Sequence, residues 1–423
     1  MAARNFYEID PNIIYPRVDM AGEKTGITGM EFPLFNYIIY LFAKVFGWSH
    51  WYGRLINLIV SSFGVYWFYC LVKKFFSQKM AFSSTFILLN SLWFAYSRKT
   101  MPDTFSVALV MGGMLAGFNY LEKGKWWQLL FSFLLILMGV LSKIPGGYLL
   151  ILFGFPALDK TLLISRKVLL FLSFIIVFIP VGWWYFMWVP YLVQHYGFWH
   201  FYMGTGIIEG GKDLFAHLDQ AAEKFYFPAL NYIGFTLFLA GIVLAIRKKE
   251  KRLLWVLCTC FAVFFVFMCK AGFAFYHHNY YILPFVPVMA LVAGYTLSLI
   301  NKPSIRYLLM LAVAAEIIIN SIPEFIYPKD QAYKLTLEPF TAKYAPPGTL
   351  IAINCDKNPQ EIYLSHRKGW NITNDEMQSP AYISDIKNKG CKILIVNKHE
   401  INPVPTLSYR KVDENGDFVV YEL

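Results

Sequence analysis

Between residues 52 and 322 the chain runs in long apolar blocks separated by short polar loops. The blocks fall at about 53–72, 79–97, 104–121, 126–142, 146–159, 167–188, 228–246, 253–270, 281–300 and 306–322, and they predict about ten membrane-spanning helices. Each must be helical, because no water in a bilayer core could satisfy broken backbone pairing. The 146–159 block is short enough to need shielding by its neighbours. Pro33–Phe46 reads differently: Leu34, Ile38, Leu41, Phe42 and Val45 recur at helical spacing, and Pro33 suits a first helical turn. That segment is too short to cross, and predicts a helix lying on the membrane surface or on the bundle.

After residue 322 the pattern changes. Thr349–Asn354, Lys392–Asn397 and Phe418–Tyr421 are short β-branched runs, with helix-compatible stretches around Pro359–Ser365 and Ala381–Lys389 between them. Such alternation predicts a small α/β domain. The expected organisation is a first outer loop at 1–52 carrying the 33–46 surface helix, a transmembrane bundle at 53–322 with a large outer loop at 189–227, and a soluble domain at 323–423. Composition agrees, since only 15% of residues are charged where soluble domains average about 25%.

The net charge of +11 could point to nucleic acid, but its distribution excludes that reading. Lys73, Lys74, Lys79, Lys123, Lys125, Lys160, Arg166, Lys167, Arg247, Lys248, Lys249, Lys251, Arg252, Lys302 and Arg306 occupy one alternate set of short loops. The other set holds Arg98, Lys99, Lys143 and Lys270. The richer set is expected in the cytoplasm, so residues 1–52, 189–227 and 323–423 are expected outside a plasma (inner) membrane. An outer N-terminus lacks a route across, and Met1–Phe6 reads like the middle of a protein; a preceding transmembrane helix is therefore expected upstream.

Ionisable residues at span ends facing one side are costly unless paired, hydrated or used. On the outer side these are Glu31, Arg98, Asp103, Lys143 and the His277-His278-Asn279-Tyr280-Tyr281 run. Carboxylates, cations and tyrosines together suit a lipid phosphate and a reacting hydroxyl: cations would neutralise the phosphate, and a carboxylate would take the proton. Plainer roles exist. Asp103 follows Pro102 and could be a helix N-terminal acid; Arg98 and Lys99 could be interface anchors; the histidines and tyrosines could belong to an aromatic belt. Asp10 and Asp19 read as solvated acids. Cys355 and Cys391 could pair in an oxidising compartment, while Cys70, Cys258, Cys260 and Cys269 read as small buried residues. Asn371-Ile-Thr matches a glycosylation sequon, a motif that also arises often by chance.

The order of these pieces resembles the GT-C superfamily of polyprenyl-phosphate-dependent glycosyltransferases, which contains protein O-mannosyltransferases and the lipid A aminoarabinose transferase. The resemblance covers essentially the whole chain. Glu31-Phe-Pro-Leu ends a long first loop and leads into the surface helix; a short second loop carries Arg98 and Asp103. Ser142-Lys-Ile-Pro resembles the family's Thr-Lys-Gly-Pro, and Tyr280-Tyr-Ile-Leu-Pro resembles its Arg-Tyr-x-Leu-Pro. The resemblance implies inverting transfer of a sugar from a polyprenyl-phosphate donor to a lipid, glycan or protein acceptor outside the cytoplasm. It implies Glu31 and Asp103 as active-site acids, and Arg98, Lys143, His277, His278, Tyr280 and Tyr281 near the donor phosphate. Three departures stand out. Phe32-Pro33 replaces the Lys-Pro-Pro of aminoarabinose-transferase-like members, and the histidines replace an arginine. The family's catalytic aspartate would fall upstream of residue 1, so the chain as given would be truncated and inactive. Two other readings stay open, a transporter or flippase of a lipid-linked substrate and a non-catalytic subunit of glycosyltransferase form. No convincing metal-ligand set is present, which leaves metal dependence open.

Overall fold

The computed structural model describes residues 1–198, 204–326 and 328–423, which divide into two compact units. The 199–203 part of the expected large outer loop therefore lies outside the described residues.

The larger unit is helical and comprises residues 31–187 and 204–324. Among the described residues, six helices are long and apolar enough to cross a membrane, beginning at Tyr52, Pro102, Ile164, Lys251, Asn279 and Pro303. A seventh results if Leu218–Ala229 and Asn231–Arg247, bent by 104°, count as one. The expectation of ten counts apolar blocks without counting backbone breaks. Ser91 splits the 79–97 block by accepting a hydrogen bond from the Trp93 N–H and starting a new helix, Leu92–Tyr96, after Gln78–Leu89. Pro145, Gly146 and Gly147 keep Ile144–Phe153 in a 3₁₀ helix rather than an α-helix. At the 104° bend, the Glu316 carboxylate accepts hydrogen bonds from the backbone N–H groups of Tyr232 and Ile233, satisfying donors that open the Asn231–Arg247 helix. The stretch expected as a large loop is itself largely helical where described: Val189–Tyr196, Ile207–Ala216 and Leu218–Lys224.

Pro102–Lys123 is the hub of this unit, buried along most of its length. Pro102 opens it and Gly124 (φ +68°) closes it in the left-handed conformation that L-residues avoid. Small residues let its neighbours approach: Gly64 lies against Ala108, and Gly139 against Val110 and the Ser106 carbonyl. A Cβ on Gly294 would sit 2.3 Å from the Ser84 Cα, so Val286–Leu299 and Gln78–Leu89 touch backbone to backbone. The amphipathic Leu34–Phe46 helix is present and leaves Leu41, Val45 and Phe46 exposed along one side.

The smaller unit comprises residues 1–30, 188–198 and 325–423, less 327. Its strands are β1 (Leu350–Asn354), β2 (Gly369–Ile372), β3 (Cys391–Asn397), β4 (Arg410–Glu414) and β5 (Phe418–Glu422), ordered β2-β1-β3-β5-β4. β2, β1 and β3 run parallel, while β5 and β4 complete the sheet antiparallel. Alternation along the strands fills two cores, with Ile351, Ile353 and Ile395 on one face and Ala352, Leu394 and Val396 on the other. Cys355 and Cys391 belong to opposite cores and are both free, so the disulfide does not form. Burial pushes the Cys391 thiol up to about 12. The solvated reading of Asp19 is also overturned. The Ala2–Glu8 helix is folded in, and Asp19 is buried against Arg4 (2.8 Å) and Asn5 (3.0 Å). Arg4 further donates to the Tyr363 carbonyl and lies 4.4 Å from that ring's centre. Asp10 pairs with Arg17, whose guanidinium holds the carboxyl below its usual range. Asn371, the sequon residue, lies within β2 and donates to the Asn358 carbonyl.

Candidate active site

Within the helical unit, three loop-to-helix junctions deliver charge to one end of the bundle. Asp103 sits in the first turn of Pro102–Lys123 and is 2% exposed. Lys143 follows Trp126–Ser142, and its backbone is tied to the same hub, because the Ser106 hydroxyl donates to the Gly139 and Lys143 carbonyls. Glu31 precedes the surface helix. It is held by Phe32 packed edge-on to Trp184 (4.9 Å) and by Phe35 against Phe105 (5.2 Å).

These junctions converge on one ammonium. Lys143 Nζ lies 2.7 Å from Asp103 Oδ1 and 3.9 Å from Glu31 Oε1, and 4.8 Å from the centre of the Tyr280 ring. Asp103 Oδ2 is buried and has no hydrogen-bond partner among the described residues, so one lone-pair face of this carboxylate is uncommitted. Tyr280 and Tyr281 stack at 4.9 Å, and His278 stacks on both, at 5.2 and 6.2 Å. Partial burial, with His277, Lys224 and Lys143 nearby, lowers the His278 pKa from its usual value. A cavity of about 120 Å³ adjoins the cluster, lined by Glu31, Lys143, Tyr185, Phe267, Lys270 and Tyr281 among others.

The structure thus brings together Glu31, Asp103, Lys143, Tyr280, Tyr281 and His278. His277 stacks on Phe273 (4.7 Å) and meets His278 at 5.0 Å, one ring removed from the tyrosines. Arg98 serves a neighbouring group: its guanidinium donates to the Glu324 carbonyl, and Lys99 pairs with the Glu324 carboxylate at 2.8 Å. Tyr96 links the two groups, with Lys99 Nζ 4.3 Å from its ring centre and the Tyr280 ring 6.4 Å away. Sequence reasoning missed Tyr185 and Lys270 as cavity-lining residues and Tyr96 as the link between the groups, although Lys270 stood among the sparse outer cations. It also missed Asn57, whose buried amide donates to the carbonyls of Tyr96 (2.9 Å), Lys99 (2.8 Å) and Met101 (3.2 Å) and accepts from Thr104. That single side chain fixes the loop on which Asp103 is presented.

The opposite ends of the same helices carry the basic loops. Lys74 pairs with Glu122 (2.5 Å), Arg166 donates to the Leu121 carbonyl, Arg252 to that of Phe75, and Lys79 to that of Ile300. Acid-lysine cluster and basic loops therefore occupy different ends of the bundle. As to a metal, the two carboxylates already share one ammonium. Among the described residues no group of three or more His, Cys, Asp and Glu could hold an ion.

The fold is similar to those of solved ArnT and archaeal oligosaccharyltransferase structures. Residues 31–184, which include Glu31, Asp103 and Lys143, match the family described as dolichyl-phosphate-mannose-protein mannosyltransferase. Among solved structures, ArnT from Cupriavidus metallidurans bound to undecaprenyl phosphate is similar over 100% of this chain and 92% of its own, at 12% identity and a TM-score of 0.58. The apo ArnT structure is similar over 100% and 91%, at 11% identity and the same TM-score. The Archaeoglobus fulgidus oligosaccharyltransferase tethered to an acceptor peptide containing the NVT sequon is similar over 94% of this chain and 64% of its own, at 11% identity and a TM-score of 0.57. No curated protein matches the sequence.

Proposed function

We propose that this chain is an inverting glycosyltransferase that moves a sugar from a polyprenyl-phosphate donor to an acceptor outside the cytoplasm. The observation that carries the reading is the Asp103–Lys143–Glu31 cluster, a buried carboxylate with a free oxygen beside a cation and an adjoining cavity. Support also comes from the undecaprenyl phosphate bound by one protein of the same fold and the acceptor peptide bound by another. Lys143 and Lys270, both lining the cavity, suit a phosphate; the ammonium groups would neutralise it as it departs. The acceptor hydroxyl attacks the anomeric carbon from the face opposite the phosphate, so the new C–O bond forms as the sugar–phosphate C–O bond breaks. The hydroxyl proton passes to Glu31 or Asp103, and the polyprenyl phosphate leaves. Tyr280, Tyr281 and His278 form an aromatic wall suited to a sugar face. The basic helix ends face the cytoplasm in this reading, by the positive-inside rule, and the small α/β unit is extracytoplasmic.

The test is sugar release from polyprenyl-phosphate-linked sugars by the full chain in membranes, with wild type compared against Asp103→Asn and Glu31→Gln. General-base loss is expected to lower turnover by about 10²–10⁴-fold with insertion unchanged. Full turnover in both variants would overturn the assignment.

A further inference from the structure

At the basic end of the helical unit lies a second and larger cavity, of about 400 Å³. Its walls are apolar, with Phe68, Phe75, Met114, Phe118 and Leu152 prominent among them, and Arg252 stands at its edge. The volume falls in the range of sites that hold a small molecule. The sugar-transfer cluster makes no use of it, since its cavity is lined by other residues.

The surroundings indicate what fits. Arg247, Lys248, Lys249, Lys251 and Arg252 place five cations within six residues, none of them in an ion pair among the described residues; Arg252 reaches the bundle through one guanidinium nitrogen donating to the Phe75 carbonyl. A polybasic run beside a transmembrane helix attracts anionic lipid headgroups, at about 1 kcal/mol per Lys or Arg near the surface. The two acids at the rim oppose this only weakly. Glu122 is neutralised by Lys74 at 2.5 Å, and the Asp159 carboxylate is turned onto the Thr161 N–H and hydroxyl.

We propose that this cavity holds one acyl chain of an anionic glycerophospholipid whose phosphate docks on the free edge of Arg252. Apolar walls accept the chain, the basic run selects the headgroup charge, and the bilayer around the bundle supplies the lipid. The site is a structural and selective lipid site, distinct from the donor site at the other end.

Native mass spectrometry of the purified, delipidated full chain tests this, with phosphatidylglycerol, phosphatidylcholine and undecaprenyl phosphate as probes. Phosphatidylglycerol is expected to be retained about tenfold more than phosphatidylcholine, a difference of about 1.4 kcal/mol. Arg252→Glu is expected to abolish that preference and Leu152→Trp to remove the bound lipid by filling the cavity. Lys125→Glu, a charge change outside the cavity lining, is expected to leave retention unchanged. Because Arg252 is exposed, its variant reads the site even where the tryptophan perturbs packing. Equal retention of the two phospholipids, equal effects of the Lys125 and Arg252 variants, or displacement of phosphatidylglycerol by equimolar undecaprenyl phosphate would each overturn the proposal.

Discussion

Replacing Lys143 by methionine keeps a long unbranched side chain and removes the charge that two carboxylates share. Unit charges 2.7 Å apart attract by about 6 kcal/mol at an effective dielectric of about 20, a gross figure that desolvation reduces. Asp103 is only 2% exposed, so water cannot take over the role of the ammonium. Glu31, 3.9 Å from the same nitrogen, would then face Asp103 with no cation between them. Breaking a buried pair from one side costs about 3–5 kcal/mol, whereas neutralising both partners is often nearly neutral. Lys143→Met is therefore expected to lower the melting transition of the detergent-solubilised chain by several degrees. Asp103→Asn combined with Lys143→Met should recover most of that loss while remaining inactive in sugar release. Tryptophan fluorescence during heating, applied to both single variants and the double variant, closes the cycle. Additive losses in the double variant would refute the picture of a shared buried charge.

Three further outcomes follow from neighbouring features. Asn57→Ala deletes three hydrogen bonds to the 96–101 loop, at about 1 kcal/mol each, and is expected to reduce both stability and turnover; a variant that melts normally and transfers sugar normally contradicts the positioning role. In the α/β unit, Arg4→Met leaves Asp19 buried without its cation, at a cost of about 3–5 kcal/mol, and limited proteolysis of the intact chain should then cut within residues 1–30. For His278 the sign runs toward acid: its folded pKa is depressed, so the unfolded chain binds the proton first. Stability present above about pH 6.5 is lost as pH falls toward the folded value, and His278→Asn should flatten that loss in a pH series of melting curves.

The convergence of Glu31, Asp103, Lys143 and the 277–281 run was legible because each sits at a span end, and hydropathy alone assigns span ends to a side. Arg98 was not separable from them on that basis. Its partner Glu324 lies in the last turn of Pro303–Phe325, beyond the apolar block, so nothing in the pattern showed a competing acid. Asp19 misled for a related reason. A polar loop looks solvated until a distant segment covers it, and Arg4 and Tyr363 are far apart in sequence. Two strands escaped notice. β2 is four residues long with an asparagine in the middle, and β4 is an exposed edge of Arg, Lys, Asp and Glu, charges that guard an edge rather than fill a core. The expected ten crossings exceed the six long apolar helices among the described residues where single residues, Ser91, Pro145 and Asn231, interrupt helices inside otherwise continuous apolar stretches.

Ser106 binds the Lys143 carbonyl from the same helix that presents Asp103. Acid and ammonium are thus tied to one helix. On the far wall of the cavity, Phe267 and Lys270 belong to a different helix, Lys251–Ala271. The wall carried by Lys251–Ala271 is therefore the one to label in a search for motion.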